Sequence, residues 1–277
     1  MDRRDFLQLL AAAPVAAGLS GPLAAKDAPA MRLIAHRGGV VDDAHPENSP
    51  ASLEAAIEQG YWMAEVDVRR TRDGCPILQH DATFQRFYGD PRKVLEMDWS
   101  EIRQLRATPG GSRPMLFEEL TERCKGRMRL MLDVKNEPNQ PEYYQAMERA
   151  LMRNDLMEST YILTDVETER YFQGRIPGAA NGEALRAAAA RGEALPRAWY
   201  LFEGADTITR EAIDLARLHG LDAIAAVNTF HYRGDDAMTL ARKDLQKAYG
   251  LGVRTFQIDS VYRPLCEELG GDGRRIR

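Results

Sequence analysis

Eight short apolar runs, separated mostly by helical patterns, constrain this chain more than any other feature of its sequence. The runs lie at Arg32–His36, Trp62–Arg69, Pro76–His80, Met128–Lys135, Tyr161–Thr164, Ala198–Phe202, Ala223–Val227 and Thr255–Ile258. Helical periodicity falls at Ser49–Gln59, Leu116–Cys124, Glu142–Asn154, Glu167–Gln173, Ile208–His219 and Met238–Tyr249, with Ser49 placed to cap the first helix and Gly60 to stop it. This alternation predicts an α/β protein, a (β/α)8 TIM barrel, whose usual size of about 250 residues suits the chain. It fails once: Thr71-Arg72-Asp73-Gly74-Cys75 joins the second and third runs with no room for a helix. The stretch 84–113, with turn residues at Gly89-Asp90-Pro91 and Pro109-Gly110-Gly111, predicts an irregular insertion after the third strand, holding one short helix around Ser100–Leu105. Pro177–Glu193, rich in alanine and glycine, reads as a loop followed by a helix.

Composition narrows the class. With 277 residues, 44% hydrophobic and 29% charged, the chain can bury one sizeable core, which excludes a disordered or collagen-like protein. A net charge of −5 offers no basic footprint for nucleic acid. Cys75, Cys124 and Cys266 form neither a disulfide framework nor a zinc pattern. Residues 1–30 read as a separate export signal: Arg3-Arg4-Asp5-Phe6-Leu7 has the twin-arginine form, an apolar run covers Leu9–Leu19, and small residues follow. Cleavage after Ala25 and cleavage at Ala28-Pro29-Ala30 are both compatible with the pattern. The apolar run is too short for a stable membrane anchor, and no cysteine precedes Cys75 to carry a lipid. The expectation is transient contact with the twin-arginine export machinery, a periplasmic or secreted product, and one catalytic domain at 31–277.

Chemistry-bearing residues gather at the ends of the first four predicted strands. Alternation along Trp62–Arg69 sets Trp62, Ala64, Val66 and Val68 on an outer face and Met63, Glu65, Asp67 and Arg69 on an inner one. Alternation along Met128–Lys135 turns Arg129, Met131, Asp133 and Lys135 inward. Glu65, Asp67 and Asp133 then converge at one barrel mouth, where their mutual repulsion and desolvation call for positive charge. A hard divalent cation, Mg2+ or Ca2+, would supply it; Arg69, Arg129 and Lys135 would supply it equally well as a structural ion-pair network. The histidines shift the balance toward the cation. His36 and His80 end the first and third predicted strands, at the face where barrel active sites are built. Two imidazoles beside a cation site suit phosphodiester cleavage, one taking a proton and the other giving one. His45 and His219 read as loop and helix-end residues, and His231 as a solvated loop residue.

In order, Ala35-His36-Arg37-Gly38, Pro46-Glu47-Asn48-Ser49, Glu65-Val66-Asp67-Val68, Thr71-Arg72-Asp73-Gly74, His80-Asp81 and Asp133-Val134-Lys135 resemble the motifs of the glycerophosphodiester phosphodiesterase family. The resemblance is dense over residues 33–135 and thin beyond. It implies a TIM barrel with a small insertion after the third strand, and hydrolysis of a small-molecule glycerophosphodiester to glycerol 3-phosphate and an alcohol. It implies Glu65, Asp67 and Asp133 as metal ligands, and His36 and His80 as base and acid in an order left open. It further implies Arg37 and Lys135 as a phosphate clamp, with Glu47 and Asn48 shaping the site or reaching the metal shell. Asp73-Gly74 reads as turn chemistry.

Departures from the family fall mainly in the second half. Asp133 stands where relatives usually carry Glu. Ala225-Ala226-Val227-Asn228 stands where they commonly read Trp-Thr-Val-Asn, so Ala225 is expected to widen the glycerol subsite, with Phe230, His231 or Tyr232 as substitutes. Two rival readings remain. One is a phospholipase-like, sphingomyelinase-D-like enzyme with an apolar rim, for which Leu163, Phe202, Phe230 and Tyr232 are the candidates. The other is a non-catalytic periplasmic binding protein on the same barrel.

Overall fold

The computed structural model describes residues 30–42, 45–108, 110–135, 140–164, 166–193, 195 and 199–270. The twin-arginine pattern and both cleavage positions lie outside the described residues, apart from Ala30. The strands are β1 (Arg32–Ala35), β2 (Met63–Arg70), β3 (Pro76–Leu78), β4 (Thr83–Phe84), β5 (Asp90–Lys93), β6 (Met115–Leu116), β7 (Arg129–Val134), β8 (Thr160–Thr164), β9 (Gly178–Ala180), β10 (Trp199–Gly204), β11 (Ala223–Val227) and β12 (Thr255–Ile258). The helices are α1 (Pro50–Glu58), α2 (Gln85–Tyr88), α3 (Trp99–Ile102), α4 (Phe117–Cys124), α5 (Pro141–Arg153), α6 (Val166–Phe172), α7 (Gly182–Ala190), α8 (Arg210–Leu218), α9 (Ala237–Gly250) and α10 (Arg263–Leu269).

Strands β1, β2 and β7 to β12 pair in parallel, and β1 bonds to both β2 and β12, which closes an eight-stranded barrel. The expected fold is therefore present, with a different set of staves. The tight turn after β2 leads into β3, which is antiparallel to β2 and lies outside the barrel. The missing stave is β9, whose three residues pair with β8 and β10. Gly178-Ala179-Ala180 carries no apolar alternation and little strand propensity, so its neighbours' open ladder edges, rather than its own side chains, make it a strand. No helix separates β2 from β3, but β2 does have its barrel helix: α4, which arrives only after the insertion.

That insertion is more ordered than its turn-rich sequence implies. Strands β4 and β5 form an antiparallel pair around α2. Ile77, Phe84, Val94, Met97 and Ile102 bury a small core of their own beside the barrel. Asp73 acts in the turn as expected: it accepts from Thr71 Oγ1 at 2.5 Å and from the Trp99 backbone at 3.1 Å, and Gly74 takes φ 85°. Among the described residues no helix is long and apolar enough to cross a membrane, and all three cysteines are free.

Two apolar layers follow from the strand alternation. Ala64, Val66, Val68, Leu130, Leu132 and Val134 join the large core between barrel and helices. Ile34, Met63, Met131, Tyr200 and Ile224 fill the barrel interior. Trp62 departs from expectation: it precedes β2 and packs against the interior cluster, with the Arg32 guanidinium 4.2 Å and the Arg129 guanidinium 5.0 Å from its ring. This apolar plug leaves the polar inward positions one layer further along, toward the C-terminal ends of the strands.

Candidate active site

Parallel pairing of β2 with β7 matches Glu65 with Met131 and Asp67 with Asp133, so the two aspartates sit side by side one layer above Glu65 and Met131. Oxygens of Glu65, Asp67 and Asp133 lie within 4.8 Å of one another. Glu65 and Asp67 are each only 1% exposed. Burial and then the Asp67 charge push Glu65 up to about 8, although His36 and the Arg37 backbone N–H, 2.8 Å away, work against that. Asp67 goes the opposite way: burial disfavours its charge, but Lys135, His80 and Asn48 outweigh it and hold its carboxyl below the usual range.

The cations named as possible neutralisers divide. Lys135 lies 2.5 Å from Asp67 and 2.7 Å from Asp133, so it bridges the two carboxylates. Arg69 instead holds the His80 carbonyl from Nε and Nη2, at 3.0 and 2.9 Å, and Arg129, exposed at the start of β7, lies over Trp62. The all-oxygen donor set fits a hard divalent cation. Glu65 fits it too, because a carboxylate so deeply buried needs positive charge nearby to ionise at neutral pH. Among the described residues a second carboxylate-containing group, Glu47, His80 and Asp81, also comes together, but Arg37 and Arg86 already bridge its acids.

Segment 36–49 shows why its sequence takes the form it does. Arg37 and Asn48 both adopt φ 55°, a left-handed conformation open to few residues with a side chain, and the Asn48 N–H donates to the Arg37 carbonyl at 2.8 Å. Asn48 then donates from Nδ2 to Asp67 at 2.7 Å and accepts the Asp67 backbone N–H at 3.1 Å, so it fixes a carboxylate. Ser49 and Ser52 form a reciprocal capping box with Pro50 in the first turn, which starts α1 where expected. Gly38 and Gly39 are demanded by close approach: a Cβ on Gly38 would meet the Asn48 Cα at 2.8 Å, and one on Gly39 the Ser52 carbonyl oxygen at 2.0 Å. Gly39→Ala, at φ 148°, is expected to cost about 2–4 kcal/mol. A thermal or urea unfolding curve that superimposes on the parent's would refute this close-approach argument.

Both nominated histidines reach one cavity of about 420 Å3, lined also by Arg37, Asp67, Asp133, Asn228 and Gln257. Each imidazole is held through Nδ1. His36 Nδ1 lies 2.6 Å from Asp259 Oδ1, while its Nε2 is 3.9 Å from Glu65. Burial opposes the His36 charge, but the Asp259 hydrogen bond and the charges of Glu65, Asp259 and Asp67 prevail and raise its pKa. His80 Nδ1 lies 2.8 Å from Asp81, and Arg37 Nη2 approaches its Nε2 at 3.3 Å. A guanidinium only donates, so Nε2 is the accepting atom of that contact. Glu47 stays away from the carboxylate cluster. It accepts from Arg37 Nη1 at 2.9 Å and from Arg86, which also bonds Asp81 at 2.7 Å, so it ties the insertion to the site.

Three participants carried no functional assignment in the sequence. Asp259 follows β12, 223 residues from the histidine it holds, and its other oxygen accepts from Thr229 N and Oγ1 at 2.6 and 2.8 Å. Arg86 comes from the insertion, and Asp81 had stood only as part of a motif. Ala225 is corrected. It points outward into the barrel–helix core, while Ala226 lines the cavity. Of the rim candidates, Leu163, Phe202 and Phe230 line the cavity, whereas Tyr232 is buried against Tyr262. His231 lines the cavity and remains exposed.

The fold and site define a TIM-barrel protein with a cluster of carboxylates able to hold a cation and a histidine pair beside it. Residues 36–173 match the family model described as the glycerophosphoryl diester phosphodiesterase family. The chain belongs to that family. It is 32% identical over 111 residues to glycerophosphodiester phosphodiesterase 1 of Mus musculus, covering 37% of this chain and 33% of that protein. It is 32% identical over 116 residues to a probable glycerophosphodiester phosphodiesterase 2 of Mycobacterium tuberculosis, covering 39% and 43%. The chain thus spans well under half the length of these curated relatives. A glycerophosphoryl diester phosphodiesterase structure from Parabacteroides distasonis superposes with TM-score 0.69 at 21% identity, covering 86% of each chain. An Oleispira antarctica phosphodiesterase, solved with its product sn-glycerol-3-phosphate, superposes with TM-score 0.64 at 20% identity, covering 88% of this chain and 96% of that one.

Proposed function

We propose that this protein hydrolyses glycerophosphodiesters to glycerol 3-phosphate and an alcohol. The observation that carries the reading is the convergence, on one cavity, of two carboxylate-held histidines with Asp67 and Asp133, which the buried Glu65 joins in one cluster. Glu65, Asp67 and Asp133 would hold Mg2+ or Ca2+, which when bound supplies Lewis-acid charge to the phosphate oxygens. Arg37 and Lys135 stand beside the cluster and the histidines, placed to meet the charge of a phosphodiester. One imidazole takes a proton from the attacking water through its Nε2, and the other protonates the departing alcohol oxygen. A new P–O bond forms as the P–O bond to the alcohol breaks. Asp259 and Asp81 keep each imidazole turned, and Asp259 stabilises the protonated form of His36.

Purified protein is expected to release glycerol 3-phosphate from glycerophosphocholine or glycerophosphoethanolamine. EDTA should lower the rate at least about 100-fold, and Mg2+ or Ca2+ should restore it. Turnover indifferent to EDTA would remove the metal from this reading, and no turnover of either diester would overturn the substrate class.

A further inference from the structure

Asn228 lies just past β11, is 1% exposed, and lines the cavity. Neither its Oδ1 nor its Nδ2 has a hydrogen-bond partner among the described residues. A buried amide left unsatisfied on both ends destabilises the fold relative to an apolar side chain of the same shape, so its presence calls for a ligand. The other amide in the cavity wall, Gln257, is already engaged, with its Nε2 directed to the Met131 sulfur at 3.5 Å. Alternation along β11 sends Ile224 into the interior plug, Ala226 to the cavity wall and Asn228 to the same side, so the small Ala226 leaves room in front of the amide.

The unsatisfied pair has a definite chemistry. Ionised phosphate oxygens only accept and an ammonium only donates, so either would leave half of the amide without a partner. A hydroxyl does both: it accepts from Nδ2 and donates to Oδ1. The rest of the wall carries charged groups, among them His36, Arg37, Asp133 and Glu203, together with apolar ones, Leu163, Phe202 and Phe230. We infer that Asn228 is a specificity-determining residue that binds a hydroxyl of the alcohol esterified to the phosphate. This deepens the proposed function and rests on it: in that reading the hydroxyl belongs to the glycerol moiety.

The test compares glycerophosphocholine with bis(4-nitrophenyl) phosphate, a diester that has no hydroxyl, using Asn228→Leu and Asn228→Ala. The ratio of kcat/KM values, glycerophosphocholine over the hydroxyl-free diester, is expected to fall roughly 10- to 100-fold, mainly through a higher KM for glycerophosphocholine. The Asn228→Leu melting temperature is expected at or above that of the parent. An unchanged ratio, or equal losses on both diesters with a lowered melting temperature, would overturn the assignment and make Asn228 structural. Should the unmodified protein cleave neither diester, the functional reading fails, and calorimetry then decides the residue separately. Asn228→Leu should weaken glycerol 3-phosphate binding by a similar factor relative to inorganic phosphate, and an equal effect on both would overturn it.

Discussion

His36→Ala and His80→Ala are each expected to lower kcat by about 1,000-fold, toward the upper end of what a positioned proton-transfer group contributes. The expectation rests on geometry shared by both side chains: Nδ1 is anchored to a carboxylate at 2.6 Å in one and 2.8 Å in the other, and both line the cavity. Asp259 acts through His36, so it is a positioning residue and its loss should be milder. Asp259→Asn is expected to cost roughly 10- to 100-fold in kcat with little change in KM, because an amide can hold the ring in the wrong tautomer. It also removes the hydrogen bond that raises the His36 pKa, so the limb of the pH–rate profile governed by His36 should move to lower pH. A purely structural role would lower the melting temperature without moving that limb. Both histidine variants turning over within about tenfold of the parent would sink the acid–base pair.

Stripped of divalent cations, the protein is expected to lose stability as the pH rises from about 4.5 to about 8. Glu65 is the main reason: burial first, then Asp67, raise its folded pKa from 4.5 to about 8. Between those values the folded chain binds a proton that the unfolded chain has released, so unfolding becomes easier with each step upward in pH. His36 acts in the same direction. Its folded pKa is raised above 6.5, and the stability this gives is present at low pH and lost as the pH climbs through the folded value. Asp67, lowered from 3.8, contributes stability that disappears only in more acidic solution, outside this window. The combined loss should be on the order of 3 kcal/mol, read by urea unfolding across the pH series. Mg2+ or Ca2+ at about 100 times its Kd should return roughly 2.7 kcal/mol, and Glu65→Gln should flatten the slope. A flat profile for the cation-free chain, or no thermal shift with either ion, would contradict the assignment of this cluster.

The alternation of apolar and charged residues on β2 and β7 is enough to place Glu65, Asp67 and Asp133 together, because a period of two admits only one inward face. His36 is equally legible, since it directly follows β1 at the C-terminal mouth, whereas His80 follows the antiparallel β3 and reaches the site only because that strand pairs back along β2. Elsewhere local pattern misled. Pro76-Ile77-Leu78 is as apolar as a barrel strand, and only its pairing decides that it runs antiparallel outside the barrel. Gly178-Ala179-Ala180 has no pattern at all and completes the barrel. Ala225 was placed on the cavity side, although the two-residue period that sends Ala226 and Asn228 inward turns it outward.

The residues that hold the histidines divide along the same line. Asp81 adjoins His80 in sequence, and its proximity could be read directly. Asp259 meets His36 only because β12 closes the barrel onto β1, with Ile258 matched to Ala35. Arg86 reaches Glu47 and Asp81 because the insertion folds back on its own small core. The sequence by itself therefore determined the barrel, the carboxylate cluster and His36, since each follows from local periodicity and strand-end position. Which strands close the barrel, what anchors His36, and which amide is left unsatisfied in the cavity were decided by tertiary structure, because they depend on contacts between residues far apart in the chain.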